Sequence, residues 1–333
     1  MNHPKSSQLI IGIDGGATKS TGILVDATGT TIDRITLKGC SLTANLQNAP
    51  SRIMSALDEL CSRHNLKFRD IQAIGLGLAG ASNDDGRDKV FGNLDRVQLS
   101  NRTIIMTDAE AAYEIACPGG EGILLSVGTG VICLARDRDG EVHRTGGLGH
   151  DSDIGSGYWI GREAMLKIAL SDNTIYAEPE LMSISRLITQ KFKGSDFSDA
   201  VEKVMASPNS ISNIASLCDP ICHMAELHNE IALGLIQEAT MGVADLITEL
   251  AREMEIDMKS VPVLIAGNGS VIKNKIYRNC LQSALKFDAP QLKWVFSRLS
   301  PAYGAALLAS RFRDIPLSLN SILERFRADC SNS

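Results

Sequence analysis

The stretch IIGIDGGATKSTGILVD, Ile10 to Asp26, decides how the chain is read. An apolar run ends in Asp14 and a glycine pair. Ala17, Thr18 and Lys19 follow, and then a second apolar run begins. Apolar and β-branched residues on both sides predict two strands joined by a glycine turn. Glycine with Thr and Lys in such a turn points to phosphate. A P-loop needs GxxxxGK[ST] between a strand and a helix. Here no glycine directly precedes Lys19-Ser20, and TGILVD is too β-rich to open a helix, so that reading fails. GLGLAG, Gly75 to Gly80, matches the letters of the dinucleotide fingerprint, which belongs after the first strand and at the start of a helix. Gly75 and Gly77 instead fall inside an apolar alternation, and a loop, ASNDDG, follows.

The opening pattern recurs. LIIGIDGGATKSTGILVDATGTTI and EGILLSVGTGVICLARDRDGEVH share the order strand, glycine turn with Thr, strand, turn. Two hairpins of one design predict two related domains facing each other across a cleft. A phosphate would then lie between two glycine turns, held by backbone N–H groups and by the hydroxyls of Thr18 and Thr129. Asp14, at the end of the first strand, is placed to hold Mg²⁺ through water or to cap the turn.

Composition narrows the classes. The 333 residues are 44% hydrophobic with a net charge of −6, enough for two domains. Scattered basic residues disfavour a nucleic-acid or anionic-membrane partner. No apolar run in the sequence approaches the roughly 20 residues of a membrane span. The polar start MNHPKSSQ lacks a signal-peptide core, so eight irregularly spaced cysteines read as reduced thiols of a cytoplasmic protein.

Strands are predicted at Gln8–Asp14, Thr21–Val25, Thr30–Leu37, Ile71–Leu78, Thr103–Met106 and Val261–Ala266, with a helix over Ala49–His64. A helix-rich stretch runs from about Glu163 to Glu255, its last helix starting near Asn229. CDPICHMAELH, with Cys218, Cys222, His223 and His228, lacks a second ligand pair at zinc spacing. It reads as a helix with Asp219 at the N-cap and Pro220 at N1. Tyr158 and Trp159 read as core aromatics. Asp108 ends the strand TIIMTD and opens the helix AEAAYEIA, where it or Thr107 could serve as the N-cap.

The ordered set GIDGGATKS, GLAGA, MTDAEAA, SVGTG, GGLGHDSDIGSGYWIG and LIAGNGS, spanning Ile11 to Ala309, resembles the N-acetylglucosamine and glucosamine kinase group. That group belongs to the BadF/BadG/BcrA/BcrD ATPase-like branch of the actin–hexokinase–Hsp70 superfamily. The resemblance implies an α/β fold of two actin-like (ribonuclease H-like) domains with a central interdomain cleft. The expected domains are 1–115, with a helix near 315–331 packing back onto it, and 116–314, carrying a helical insertion at 163–255. It implies ATP and Mg²⁺ as cofactors, with Gly15, Gly16, Thr18 and Lys19 in one phosphate turn and Gly128, Thr129 and Gly130 in the other. Gly267, Gly269 and Ser270 would lie by the adenosine, and Asp108 would be the catalytic base toward a sugar hydroxyl. Asn45, Gly147, Leu148, Gly149 and Asp153 would line the sugar, together with Asp108.

The implied reaction is phosphorylation of an amino sugar, N-acetylglucosamine to its 6-phosphate ahead of glucosamine or N-acetylmuramic acid; a homodimer is compatible with it. Leu148 stands where some relatives carry tryptophan, Val131 replaces a serine after GTG, and the loop to Asp153 is one residue shorter. Activator ATPases of CoA-ester reductases and dehydratases in the same superfamily carry a cluster cysteine just before GTG; Leu125, Ser126 and Val127 stand there here. The Cys-rich zinc motif of repressor-type sugar kinases is also missing. A non-catalytic sugar or nucleotide sensor is the remaining alternative, against which the retained Asp108 argues.

Overall fold

The computed structural model describes residues 8–117, 122–137, 139–171 and 178–331. The polar residues 1–7, and 172–177 of the helix-rich stretch, lie outside these. The chain divides into two compact units, Met1–Gly119 with Ser297–Ser333, and Gly120–Phe296.

The first unit holds β1 (Leu9–Gly15), β2 (Lys19–Asp26), β3 (Thr31–Lys38), α1 (Ala49–Ser62), β4 (Ile71–Leu78), α2 (Asp84–Arg96), β5 (Thr103–Met106) and α3 (Asp108–Ala116). Its sheet order is β3-β2-β1-β4-β5. β1 pairs antiparallel with β2 and parallel with β4, and β4 pairs parallel with β5. Side chains alternate faces along β1. Ile11 and Ile13 join Ile53, Leu57, Leu60, Val90 and Leu94 in one core. Ile10, with Ile23 and Val25, joins a second core on the other face.

The second unit holds β6 (Ile123–Val127), β7 (Val131–Arg136), β8 (Val142–Gly146), α4 (Gly157–Ala169), α5 (Pro179–Lys191), α6 (Phe197–Met205), α7 (Ser210–Ala215), α8 (Cys218–Glu226), α9 (Glu230–Glu253), β9 (Leu264–Asn268), α10 (Lys275–Ala284) and β10 (Lys293–Val295). Its sheet order, β10-β9-β6-β7-β8, repeats that of the first unit, with β6, β7, β8, β9 and β10 in the places of β1 to β5. The internal repeat seen in the sequence is therefore a repeat of topology. Tyr158 and Trp159 are buried in this unit's core, as are Cys218 and Cys222.

Three readings are corrected. The helix α11 (Pro301–Phe312), expected with residues 116–314, packs in the first unit against β1, β4 and α3, and α12 (Leu319–Ser331) follows it there. The reason is steric. A Cβ on Gly12 or Gly75 would stand 2.0 or 1.9 Å from the carbonyl oxygens of Ala302 or Ala305, and one on Gly304 1.8 Å from that of Ala111. These bare backbones let α11 lie on the sheet at a distance no side chain permits. Second, α8 begins at Cys218 with Leu217 as its cap, so Asp219 sits in the first turn and not at the N-cap. Third, α9 is long and apolar enough to cross a membrane by length and composition. Its Leu235, Ile236, Ala239, Val243, Ile247 and Leu250 are buried in the core of the second unit, as in a core helix.

Gly75→Ala should destabilise the first unit by about 3 kcal/mol, since backbone must move to admit the methyl group. Both tryptophans, Trp159 and Trp294, belong to the second unit. The denaturation midpoint by circular dichroism should therefore fall while that by tryptophan fluorescence moves less.

Candidate active site

β1, β4 and β5 run parallel, so their carboxyl ends share one edge of the sheet, where ligands of open α/β sheets bind. Asp14 of β1 pairs with Gly77 of β4, and Gly77 pairs with Met106 of β5. Thr107 then turns the chain into α3. Its hydroxyl accepts the Glu110 N–H at 3.1 Å, and the Glu110 carboxylate accepts the Thr107 N–H at 2.8 Å, a complete capping box. Thr107 is thus the cap, and Asp108 keeps its carboxylate apart from that role, accepting the adjacent Ala109 N–H at 3.1 Å.

Burial, and then the charge of Asp108, push the Asp14 carboxyl up to about 7 against the opposing pull of Arg34. Burial also raises Asp108 above the usual carboxylate range. Two desolvated carboxylates that repel each other fit a divalent cation. Among the described residues no cluster of three or more His, Cys, Asp or Glu offers a complete protein cage. The fit is therefore to an ion that keeps much of its water and completes its shell with phosphate, as Mg²⁺ does.

The first turn is held by its carbonyls. The Gly16 oxygen accepts the Ser41 N–H at 3.1 Å, and the Thr18 oxygen accepts the Gly39 N–H at 3.1 Å. The Ala17 oxygen accepts Nδ2 of Asn45 at 2.7 Å. Among the described residues no peptide is cis, so each held carbonyl sends the next N–H to the opposite side. Among the described residues the amides of Ala17 and Thr18 have no acceptor. Gly39 is required for this approach, since its Cβ would meet the Ala17 oxygen at 1.9 Å. Thr18 and Lys19 are exposed.

The second turn uses the same device with other parts. The oxygens of Gly128 and Thr129 accept the Gly157 and Tyr158 N–H groups of α4 at 2.7 and 3.3 Å. The amides of Thr129 and Gly130 lack an acceptor among the described residues. Adjacent free N–H groups on a turn form an anion-binding concavity. Asp153, expected at the sugar, is 5% exposed. Its Oδ2 accepts the Val131 N–H at 3.2 Å, and its Oδ1 accepts the Leu148 N–H at 2.9 Å. It braces the turn against the loop of Gly147, Leu148 and Gly149. Burial raises its pKa, and these amides, with those of Gly147 and Gly149, oppose the rise. In that loop Leu148 is 77% exposed.

β9 delivers Gly267 beside this turn. Asn268 pairs with Ser126 and donates Nδ2 to its hydroxyl at 3.1 Å. Gly269, at φ 91°, comes so near that a Cβ would stand 2.3 Å from the Val127 oxygen, and Ser270 is exposed.

The first unit thus gathers Asp14, Gly15, Gly16, Thr18, Lys19, Asn45 and Asp108. The second gathers Gly128, Thr129, Gly130, Gly147, Leu148, Gly149 and Asp153, with Gly267, Gly269 and Ser270 against β6. The sequence pattern of the BadF/BadG/BcrA/BcrD ATPase family matches residues 11–309. The chain belongs to that family.

An N-acetyl-D-glucosamine kinase of Dictyostelium discoideum is 25% identical over 319 residues, covering 91% of this chain and 98% of its own. An N-acetylmuramic acid/N-acetylglucosamine kinase of Clostridium acetobutylicum is 26% identical over 305 residues, with 90% and 97% covered. A candidate N-acetylglucosamine kinase from Chromobacterium violaceum has a similar solved structure, with TM-score 0.71, 23% identity and 91% and 99% coverage. Membership of an ATPase family implies use of ATP. Arg52 and Gly39 escaped the sequence reading, because neither carries a motif and both act on the turn from behind.

The folded protein holds on Asp14 a proton that the unfolded chain releases near pH 3.8, and loses it only near pH 7. The contribution of Asp14 to stability is therefore most favourable below about pH 4 and declines as pH rises to 7. Asp14→Asn should match wild type near pH 4 and exceed it above pH 7 by about 2–4 kcal/mol, read by denaturant titration without nucleotide.

Proposed function

We infer that this family member is an ATP-dependent sugar kinase. Its proposed acceptor is an amino sugar, N-acetylglucosamine first, phosphorylated at the 6-hydroxyl. The observation that carries the reading is the pair of turns whose carbonyls are tied down and whose amides are left to an anion. The kinase relatives, similar to this chain over nearly their whole length, support it.

In this reading the amides of Ala17 and Thr18, and those of Thr129 and Gly130, donate to phosphate oxygens of ATP, aided by the Thr18 and Thr129 hydroxyls. Lys19 adds positive charge, and Gly267, Gly269 and Ser270 border the adenosine. Asp108 takes the proton of the sugar hydroxyl as that oxygen bonds to the γ-phosphorus and the bond to ADP breaks. A carboxylate raised by burial suits that task near neutral pH. Asp14 would hold Mg²⁺, which would supply charge neutralisation to the phosphates. Asn45 faces the sugar hydroxyls, and Gly147 and Gly149 let the backbone approach the ring, with Asp153 as the brace that sets the loop. The exposed Leu148 offers an apolar surface to an N-acyl methyl group.

A coupled ADP-release assay across N-acetylglucosamine, glucosamine and N-acetylmuramic acid tests the acceptor, with the product position read by phosphorus-coupled NMR. Turnover is expected with N-acetylglucosamine at O6; no turnover with any amino sugar overturns the reading. Asp108→Asn should lower kcat by about 10³-fold or more while leaving the affinity for a non-hydrolysable ATP analogue within about twofold. Near-normal turnover in that variant removes Asp108 as the base.

A further inference from the structure

Arg52 lies on α1, behind the first turn, where no motif reaches. Its Nη1 donates to the Gly39 oxygen and to Oδ1 of Asn45, the latter at 3.0 Å. Asn45 in turn donates Nδ2 to the Ala17 oxygen at 2.7 Å, and Gly39 donates its N–H to Thr18. One guanidinium therefore fixes two of the three tethers that orient the carbonyls of residues 16–18. Both ends of the Asn45 amide are engaged in this chain of bonds, so its orientation is set by Arg52 and not by rotation in solvent.

The geometry points to Arg52 as a positioning residue for the phosphate turn, and to the chain Arg52–Asn45–Ala17 as the link by which an acceptor at Asn45 tightens nucleotide phosphate binding. This rests on the kinase reading for the acceptor, and on the phosphate role of the turn for the rest. The physical reason is preorganisation. The Ala17 and Thr18 amides face a ligand only while their carbonyl partners hold, and a charged donor at the root of the chain strengthens each later bond. A sugar hydroxyl bonded to Asn45 reduces its freedom further, and linkage makes the gain reciprocal between the two ligands.

The test compares wild type, Arg52→Met and Arg52→Gln by calorimetry with a non-hydrolysable ATP analogue and, separately, with adenosine, each with and without N-acetylglucosamine. Arg52→Met should weaken the analogue about tenfold, the loss of roughly one charge-assisted hydrogen bond. Adenosine should stay within about twofold, because it lacks the phosphates; a general loss of structure would weaken both. Sugar should tighten the analogue at least about fivefold in wild type and less than about twofold in Arg52→Met, with Arg52→Gln intermediate through its shorter donor. Hydrogen exchange of the peptide covering 15–20 should be faster in the variants.

An analogue affinity in Arg52→Met within twofold of wild type, or equal losses for analogue and adenosine, overturns the positioning role. Retention of the full sugar effect in that variant overturns the link through Asn45. If wild type binds no amino sugar, the kinase reading and the link both fall, while the comparison of analogue with adenosine still judges Arg52.

Discussion

Burial of two carboxylates, Asp14 and Asp108, is the constraint around which the carboxyl-end edge of the first sheet is arranged. Burial opposes ionisation at both, and the charge of Asp108 adds to the cost at Asp14. Nothing in hydrophobic packing calls for acids at the ends of β1 and at the start of α3. They persist because the surroundings over-determine them: Asp14 is locked by pairing on both sides of β1, and Asp108 follows a capping box that Thr107 and Glu110 complete without it. Gly77 stands between the two strand ends and is kept bare by Ala111, whose Cβ would lie 2.7 Å from a Cβ there. Strain of this kind is a usual cost of a prepared site.

The second device is control of a turn from its carbonyl side. A loop that contacts a ligand directly must leave its N–H groups free, and free N–H groups alone do not hold a conformation. The protein separates the tasks by using carbonyls for fixation and amides for the ligand. In the first unit a neighbouring segment, residues 39–45, supplies the donors; in the second the first turn of α4 does. The two units share a sheet order, yet the parts that brace their turns differ. This places the requirement on the turn itself and not on any particular brace.

How far the sequence could be read follows from which forces are local. Strand alternation is local, and the limits of β4 and β5 were legible residue for residue. The glycine turns were legible because glycine beside Thr has few other uses. Placement of α11 was not legible. PAYGAALLASRF reads as an ordinary helix, and only the three-dimensional meeting of Gly12, Gly75 and Gly304 with backbone oxygens reveals its partner. The same applies to Asp153: its position was evident, but its bonds to Val131 and Leu148 depend on distant backbone. Arg52, a half-buried arginine on an amphipathic helix, gives no sequence signal separate from a solvated surface residue.

The brace at Asp153 carries a consequence for specificity. Oδ2 fixes the strand that leaves the GTG turn, and Oδ1 fixes the loop at Leu148, so one short carboxylate sets the spacing between the turn and the loop to which the proposed reading gives phosphate and sugar. Acceptor selectivity in such an arrangement resides in where backbone amides are held. A hydroxyl that cannot reach them leaves buried polar groups unpaired, and that penalty discriminates far better than a change of apolar surface. In the proposed reading, the exposed Leu148 alters affinity for an N-substituent by the modest amount one apolar side chain provides. Family membership and the phosphate turns therefore bear on the reaction, while the length of the loop from Gly147 to Asp153 bears on the sugar.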